Sequence, residues 1–258
     1  MPEPAVRLER LTRTFGAYTA VEDVTLDVPE GAFVSLVGPS GCGKSTLLNL
    51  AAGLAAPSAG EVRIFGEPLR GINRRATYMF QHDALLPWKT VAGNVAFGLV
   101  LRGASRAAAR AAAIEWIERV GLDGFADRYP YQLSGGMRKR AAMAQCWIVD
   151  PDIVLMDEPF AALDVHTRQR MQEQVLALWS ASRKTVLFVT HDLEEAIALS
   201  DEVAVLSAGP SSRVVGRYAV DLPRPRSLLD IRTESRFVEM YRTIWARLRE
   251  EVLASGAR

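Results

Sequence analysis

Nine consecutive residues, Gly38-Pro39-Ser40-Gly41-Cys42-Gly43-Lys44-Ser45-Thr46, combine three glycines, one cation and a pair of adjacent hydroxyls. The G-x-x-x-x-G-K-S spacing predicts a loop that wraps phosphate. Its glycines let backbone N–H groups turn inward, the following helix offers its N-terminus to negative charge, and Lys44 reaches the terminal phosphate oxygens. Ser45 can place a hydroxyl on Mg²⁺. A second group, Asp157-Glu158, closes the apolar run Ile153–Met156. Carboxylates at the end of a buried strand lie where open α/β sheets bind ligands. Asp157 suits the shell of a Mg²⁺ ion, and Glu158 suits orientation or deprotonation of an attacking water. A third group, Leu133-Ser134-Gly135-Gly136-Met137, offers a hydroxyl, two glycines and a helix expected from about Met137. Those are the ingredients of a second phosphate site, although by themselves they equally describe an ordinary helix N-cap.

Strands and helices must bring these groups together. Val6–Leu11 and Val24–Val28 alternate as strands, and the continuous apolar run Ala32–Val37 reads as a strand covered on both faces. It runs straight into Gly38, and a helix over Ser45–Ala52 is expected to stop at Gly53. Further strands are expected at 61–65, 76–80, 153–156, 185–190 and 203–206. From about Trp88 to Val149 the pattern turns helical, with Ile114, Ile117 and Val120 on one face of a helix over Ser105–Val120. Phe237, Met240, Tyr241, Ile244 and Leu248 share a face of a closing helix, and Pro223–Pro225 marks a bend.

Half of the 258 residues are hydrophobic and the formal net charge is +1. A sizeable core is therefore possible, and the basic excess of a nucleic-acid binder is missing. No apolar run approaches the ~20 residues that span a bilayer, and no secretory leader is expected. Cys42 and Cys146 read as free thiols of a reducing compartment. Cys42 lies in the phosphate loop, which predicts inhibition by a bulky thiol reagent.

The order of phosphate loop, Gln81, Leu-Ser-Gly-Gly-Met, Asp-Glu and His191 resembles the ATP-binding-cassette (ABC) ATPases, along nearly the whole chain. The resemblance implies a single domain over 1–258 of α/β class. A P-loop NTPase (RecA-like) core, about 1–87 and 150–258, would carry an N-terminal antiparallel β subdomain and an inserted α-helical subdomain at about 88–149. It implies ATP and Mg²⁺ as cofactors and a homodimer closed over two ATP. Ser134, Gly135 and Gly136 of one copy would meet the γ-phosphate held by the other copy's Lys44. By the same resemblance Gln81 follows metal and water, Ala161-Ala162-Leu163-Asp164 crosses the dimer interface, His191 bonds the γ-phosphate and Phe15 stacks on adenine. Tyr18 is close enough to compete for that last role. Met137 stands where the family most often has glutamine, and Gln145-Cys146 where Arg-Ala is usual.

Within the family, Tyr78-Met-Phe-Gln-His-Asp-Ala-Leu-Leu-Pro-Trp88 and the Pro-Arg-Pro-Arg segment at 223–226 look like bacterial importers for nitrate, taurine and aliphatic sulfonates. That implies integral-membrane permease subunits as partners, an extracytoplasmic solute-binding protein acting indirectly, no nucleic acid, and a place on the cytoplasmic face of the cell membrane. Leu85, Leu86 and Trp88 are expected to line the groove that docks the channel. Two other readings stand beside this one: an ABC ATPase acting on DNA or ribosomes, and a P-loop kinase for small molecules. The first lacks a long coiled-coil insert or a second cassette, and the second gives Ser134 and His191 no task. His82 and His166 have no partners at metal-ligand spacing, Trp88, Trp116 and Trp147 read as subdomain core, and the arginines between 102 and 110 as a solvated face.

Overall fold

The computed structural model describes residues 3–256. Two sheets form its frame. The smaller is antiparallel: β1 (Val6–Phe15) and β2 (Tyr18–Val28) make a hairpin, and β4 (Ala59–Ile64) and β5 (Glu67–Pro68) extend it in the order β2-β1-β4-β5. The larger holds β3 (Phe33–Val37), β6 (Ala76–Met79), β7 (Ile153–Asp157), β8 (Thr185–Val189), β9 (Glu202–Leu206) and β10 (Val214–Ala219), in the order β10-β9-β3-β8-β7-β6. Its pairings are parallel except for β10 on β9. β3 and β8 are buried along their whole length. That accounts for their unbroken apolar sequence: helices or a second sheet cover both faces.

Alternation along β3 sends its side chains to two cores. Val34 and Leu36 pack with Leu8, Leu26, Leu47 and Leu48, between the parallel sheet, α1 (Lys44–Ala51) and the antiparallel sheet. Phe33 and Val37 point the other way, where Phe33 meets Trp179 and Phe188 edge-on at 5.8 and 5.9 Å. This second core includes α6 (Val165–Ser182), α7 (Leu193–Leu199) and α8 (Ser235–Gly256). It continues without a break into α2 (Val91–Val95), α3 (Phe97–Leu101), α4 (Arg106–Arg119) and α5 (Gly135–Trp147). Among the described residues no helix is long and apolar enough to cross a membrane.

Several expectations need correction. Trp88 is 71% exposed and belongs to no core, whereas Leu85 is buried in one. The helix expected from Met137 begins two residues earlier, because the Ser134 hydroxyl accepts the Met137 N–H and so caps it. α6, α7 and β10 went unread in the sequence. Met171, Val175 and Trp179 do recur at helical spacing on α6. β10 is a half-exposed edge strand interrupted by Gly216, with little pattern to read.

Candidate active site

Five of the six strands of the larger sheet are parallel, and the loops after β3, β6, β7 and β8 carry the candidate chemistry. The first runs from Gly38 to Gly43. Gly43 takes φ +87°, and a Cβ there would lie 2.5 Å from Val21 Cγ1, so only glycine fits the entry to α1. No side chain caps α1, which leaves its first N–H groups for an anion. Lys44 is buried in the loop, donating Nζ to the carbonyls of Gly38 (2.8 Å) and Pro39 (3.0 Å). A cleft of about 420 Å³ opens over this loop, walled by Ser40–Thr46 on one side and by Phe15, Tyr18, Gln81 and Glu158 on others. Phe15 and Tyr18 sit half-exposed at the end of the β1–β2 hairpin, with the Arg13 guanidinium 4.5 Å from the Phe15 ring centre. Cys42 is fully buried, its Sγ 3.8 Å from Lys44 Nζ. Burial pushes that thiol's pKa up despite nearby Lys44, against the expected reactivity.

The two carboxylates at the end of β7, Asp157 and Glu158, have different partners. Asp157 Oδ1 accepts from Ser45 Oγ at 2.9 Å, and Asp157 Oδ2 accepts from Tyr78 Oη at 3.1 Å. Tyr78 had no assigned role in the sequence. Its phenol is held well above its ordinary pKa, by burial first and then by the Asp157 charge, so it stays a donor. Glu158 follows with φ +43°, a left-handed conformation that costs a non-glycine residue on the order of 1–3 kcal/mol. Its N–H donates to Val189 O at 2.9 Å, which pins that backbone. One oxygen, Glu158 Oε2, accepts from Gln81 Nε2 at 3.3 Å and lies 3.2 Å from His191 Nδ1. Three loops thus converge on a single carboxylate oxygen.

The His191 loop is anchored from below. Thr190 Oγ1 donates to the buried Glu195 carboxylate at 2.7 Å, and Gln172 Nε2 of α6 donates to its other oxygen at 2.9 Å. Burial raises Glu195 to about 7, opposed by those two donors and by Arg168.

Ser134, Gly135, Gly136 and Asp164 do not line the cleft of their own chain. Ser134 and Gly135 are exposed at the start of α5. Gly136 packs on α6, where a Cβ would approach Thr167 Cγ2 to 2.5 Å. Asp164, also exposed, caps α6 by accepting the Thr167 N–H at 3.0 Å, and that bond lowers its pKa.

A glycine-lined loop at a helix N-terminus, a hydroxyl–carboxylate pair beside it and a pinned glutamate over it define a P-loop nucleoside triphosphatase. The chain belongs to the ABC transporter family, whose model matches residues 21–161. It is 44% identical, over 97% of its length and 93% of the relative's, to an uncharacterised ABC transporter ATP-binding protein of Methanocaldococcus jannaschii. It is 46% identical to the taurine import ATP-binding protein TauB of Yersinia pestis, over 78% of this chain and 79% of that one. A protein of the same name from Pseudomonas putida is 42% identical over 94% and 95%. The dimeric structure of a bacterial ABC transporter cassette superposes with a TM-score of 0.76 at 31% identity, covering 84% of this chain and all of that one. The same cassette in a post-hydrolysis state bound to ADP and Pi gives 0.74 at 33%. The chain is thus an ABC ATPase: a RecA-like core with an antiparallel β subdomain and helices α2–α5 inserted between β6 and β7.

Proposed function

We infer that this chain is the ATP-hydrolysing subunit of an importer for a small solute of the taurine, aliphatic sulfonate or nitrate type. It would work as a homodimer on the cytoplasmic face of the cell membrane. Lys44 and the N–H groups of Gly38–Thr46 hold the phosphates, and Phe15 offers its ring to adenine. Ser45, Asp157 and Gln81 are hard oxygen donors of the kind Mg²⁺ takes. Among the described residues no group of three His, Cys, Asp or Glu could hold a metal alone, so phosphate and water oxygens would complete the shell. The ion would neutralise charge on the phosphates during transfer. Glu158 is the general base, placed by Gln81 and His191, and His191 also faces the γ-phosphate. The convergence of those two side chains on one Glu158 oxygen is the observation that carries this reading. Ser134, Gly135 and Asp164 are exposed, Gly136 lies half-buried beside them, and together they complete the site of a second copy.

Residues 88–149 would act as the helical subdomain, on a core of 1–87 and 150–258, and dock the permease. A groove of about 490 Å³ lies there between Lys89, Ala96, Phe97 and Arg106. Exposed Trp88 and half-buried Leu86 stand at the segment leading into it, and Leu85 does not take part. The binding protein would meet the permease rather than this chain, and the near-neutral charge favours no nucleic acid.

Glu158→Gln keeps shape and loses proton acceptance, so hydrolysis should slow by roughly 10²–10⁴-fold while Mg-ATP still binds. With ATP the variant should then run as a dimer on size-exclusion chromatography. Normal hydrolysis by the variant would refute the assignment. Growth of a deletion strain on single sulfur or nitrogen sources identifies the solute.

A further inference from the structure

Exposed Ser134 caps α5, yet the second turn of that helix reaches back to the segment that carries Gln81. The Lys139 side chain, 5% exposed, donates Nζ to Phe80 O at 3.0 Å and to Gln81 O at 2.5 Å, with Asp83 Oδ1 at 3.8 Å. One residue earlier, Arg138 donates Nε to Asp83 Oδ2 at 2.8 Å and Nη1 to Leu133 O, also at 2.8 Å. Burying an ammonium is costly, and an apolar side chain of similar volume would fill this space at lower cost. Lysine here has specific work: it meets two backbone carbonyls and a carboxylate, all between residues 80 and 83. Arg138 ties that same carboxylate to the residue before Ser134.

We propose that Arg138, Lys139 and Asp83 are positioning residues that lock the Gln81 segment to the Ser134–Gly136 segment. The part a protomer offers to its partner's nucleotide and the glutamine it holds against its own Glu158 then move as one piece. This rests on the reading in which Ser134 and Gly136 face the partner's γ-phosphate. Engagement of one nucleotide sets Gln81 at the other, so the two sites of the dimer are coupled rather than independent.

The test uses the full chain. Lys139→Met keeps length and removes the donors. The monomer should bind ATP within about twofold of wild type, and the Glu158→Gln/Lys139→Met double variant should still dimerise with ATP. kcat should fall roughly 10–100-fold with KM nearly unchanged, because a displacement of about 1 Å is costly at the transition state. The Hill coefficient for ATP should fall toward 1. Asp83→Asn, at a partly exposed position, should shift both in the same direction, and Asp83→Glu should restore them in part. If Lys139→Met does not fold, the Asp83 pair decides alone. Wild-type kcat and Hill coefficient in the folded variants overturn the proposal, and so does loss of ATP binding by the monomer. If instead wild type hydrolyses no ATP, or Glu158→Gln fails to dimerise, the underlying sandwich reading falls and takes this proposal with it.

Discussion

The chain carries two glycine-rich segments that each open a helix, and they differ in what surrounds them. Around residues 38–46 the same chain supplies further partners: Asp157 on Ser45, Gln81 and Glu158 across the cleft, and His191 on Glu158. Around residues 134–136 it supplies only support. Ser134 satisfies its own helix, Gly136 rests on Thr167, and the exposed side meets nothing of the cleft. Glycine serves different ends in the two places. Gly43 allows the left-handed turn that leads into α1, whereas Gly136 makes room for a neighbouring helix. A segment with the residue types of a phosphate site but no cleft of its own suits the role proposed above, one half of an interface, and the similar cassette is dimeric.

Breaking the open half should give the largest change. Ser134→Arg in the Glu158→Gln background should abolish the ATP-dependent dimer while each monomer still binds ATP within about twofold, as separate sites behave independently. A dimer on size-exclusion chromatography indifferent to this change would equate the two segments. Lys44→Ala acts on the closed half. Loss of a charge-assisted contact worth about 1.5–3 kcal/mol should weaken ATP binding by roughly 10–100-fold, measurable by calorimetry.

Gly136→Ala probes the support of the open half. Its methyl would press on Thr167 Cγ2, costing about 1–3 kcal/mol in chemical denaturation. Thr167→Ser removes that methyl and should recover most of the loss; no recovery would separate Gly136 from α6.

Glu195 gives a smaller, pH-dependent effect beneath His191. Burial holds its folded pKa at about 7 against an ordinary 4.5, so the folded state binds the extra proton between those values. Its contribution therefore falls as pH rises through that window, and Glu195→Gln should flatten denaturation midpoints measured across it. The smallest expected effect is at the cysteines. Cys42 is fully buried, and burial pushes Cys146 to about 12, so a thiol reagent should label neither quickly in the native protein and both in denaturant. Fast labelling of Cys42 that ATP prevents would restore the sequence-based expectation.

The strands that carry the site were legible because burial on both faces writes itself as an apolar run, as in Ala32–Val37 and Ile153–Met156. The phosphate loop was legible because its glycines and lysine stand at a characteristic spacing within nine consecutive residues. Tyr78 and Lys139 were not, since each acts through partners far away in sequence, and Glu195 was not, because its burial and its contact with Gln172 arise only once α6 and α7 are in place. Tyr78 meets Asp157 and Lys139 meets Gln81, in each case across more than fifty residues. The exposure of Trp88 and the burial of Leu85 were also closed to the sequence, because both residues are simply apolar until α2 and its neighbours take their places.

By itself, then, the sequence determined the phosphate loop, the Asp-Glu end of a buried strand and the family, because these depend on local residue order. Only the tertiary structure decided that Gln81 and His191 meet on one oxygen of Glu158, and that Ser134 turns away from the cleft beneath them. It also decided that a buried lysine ties those two regions together. Such facts depend on where separate loops and helices are brought by the packing of a shared core, and no local pattern encodes that placement.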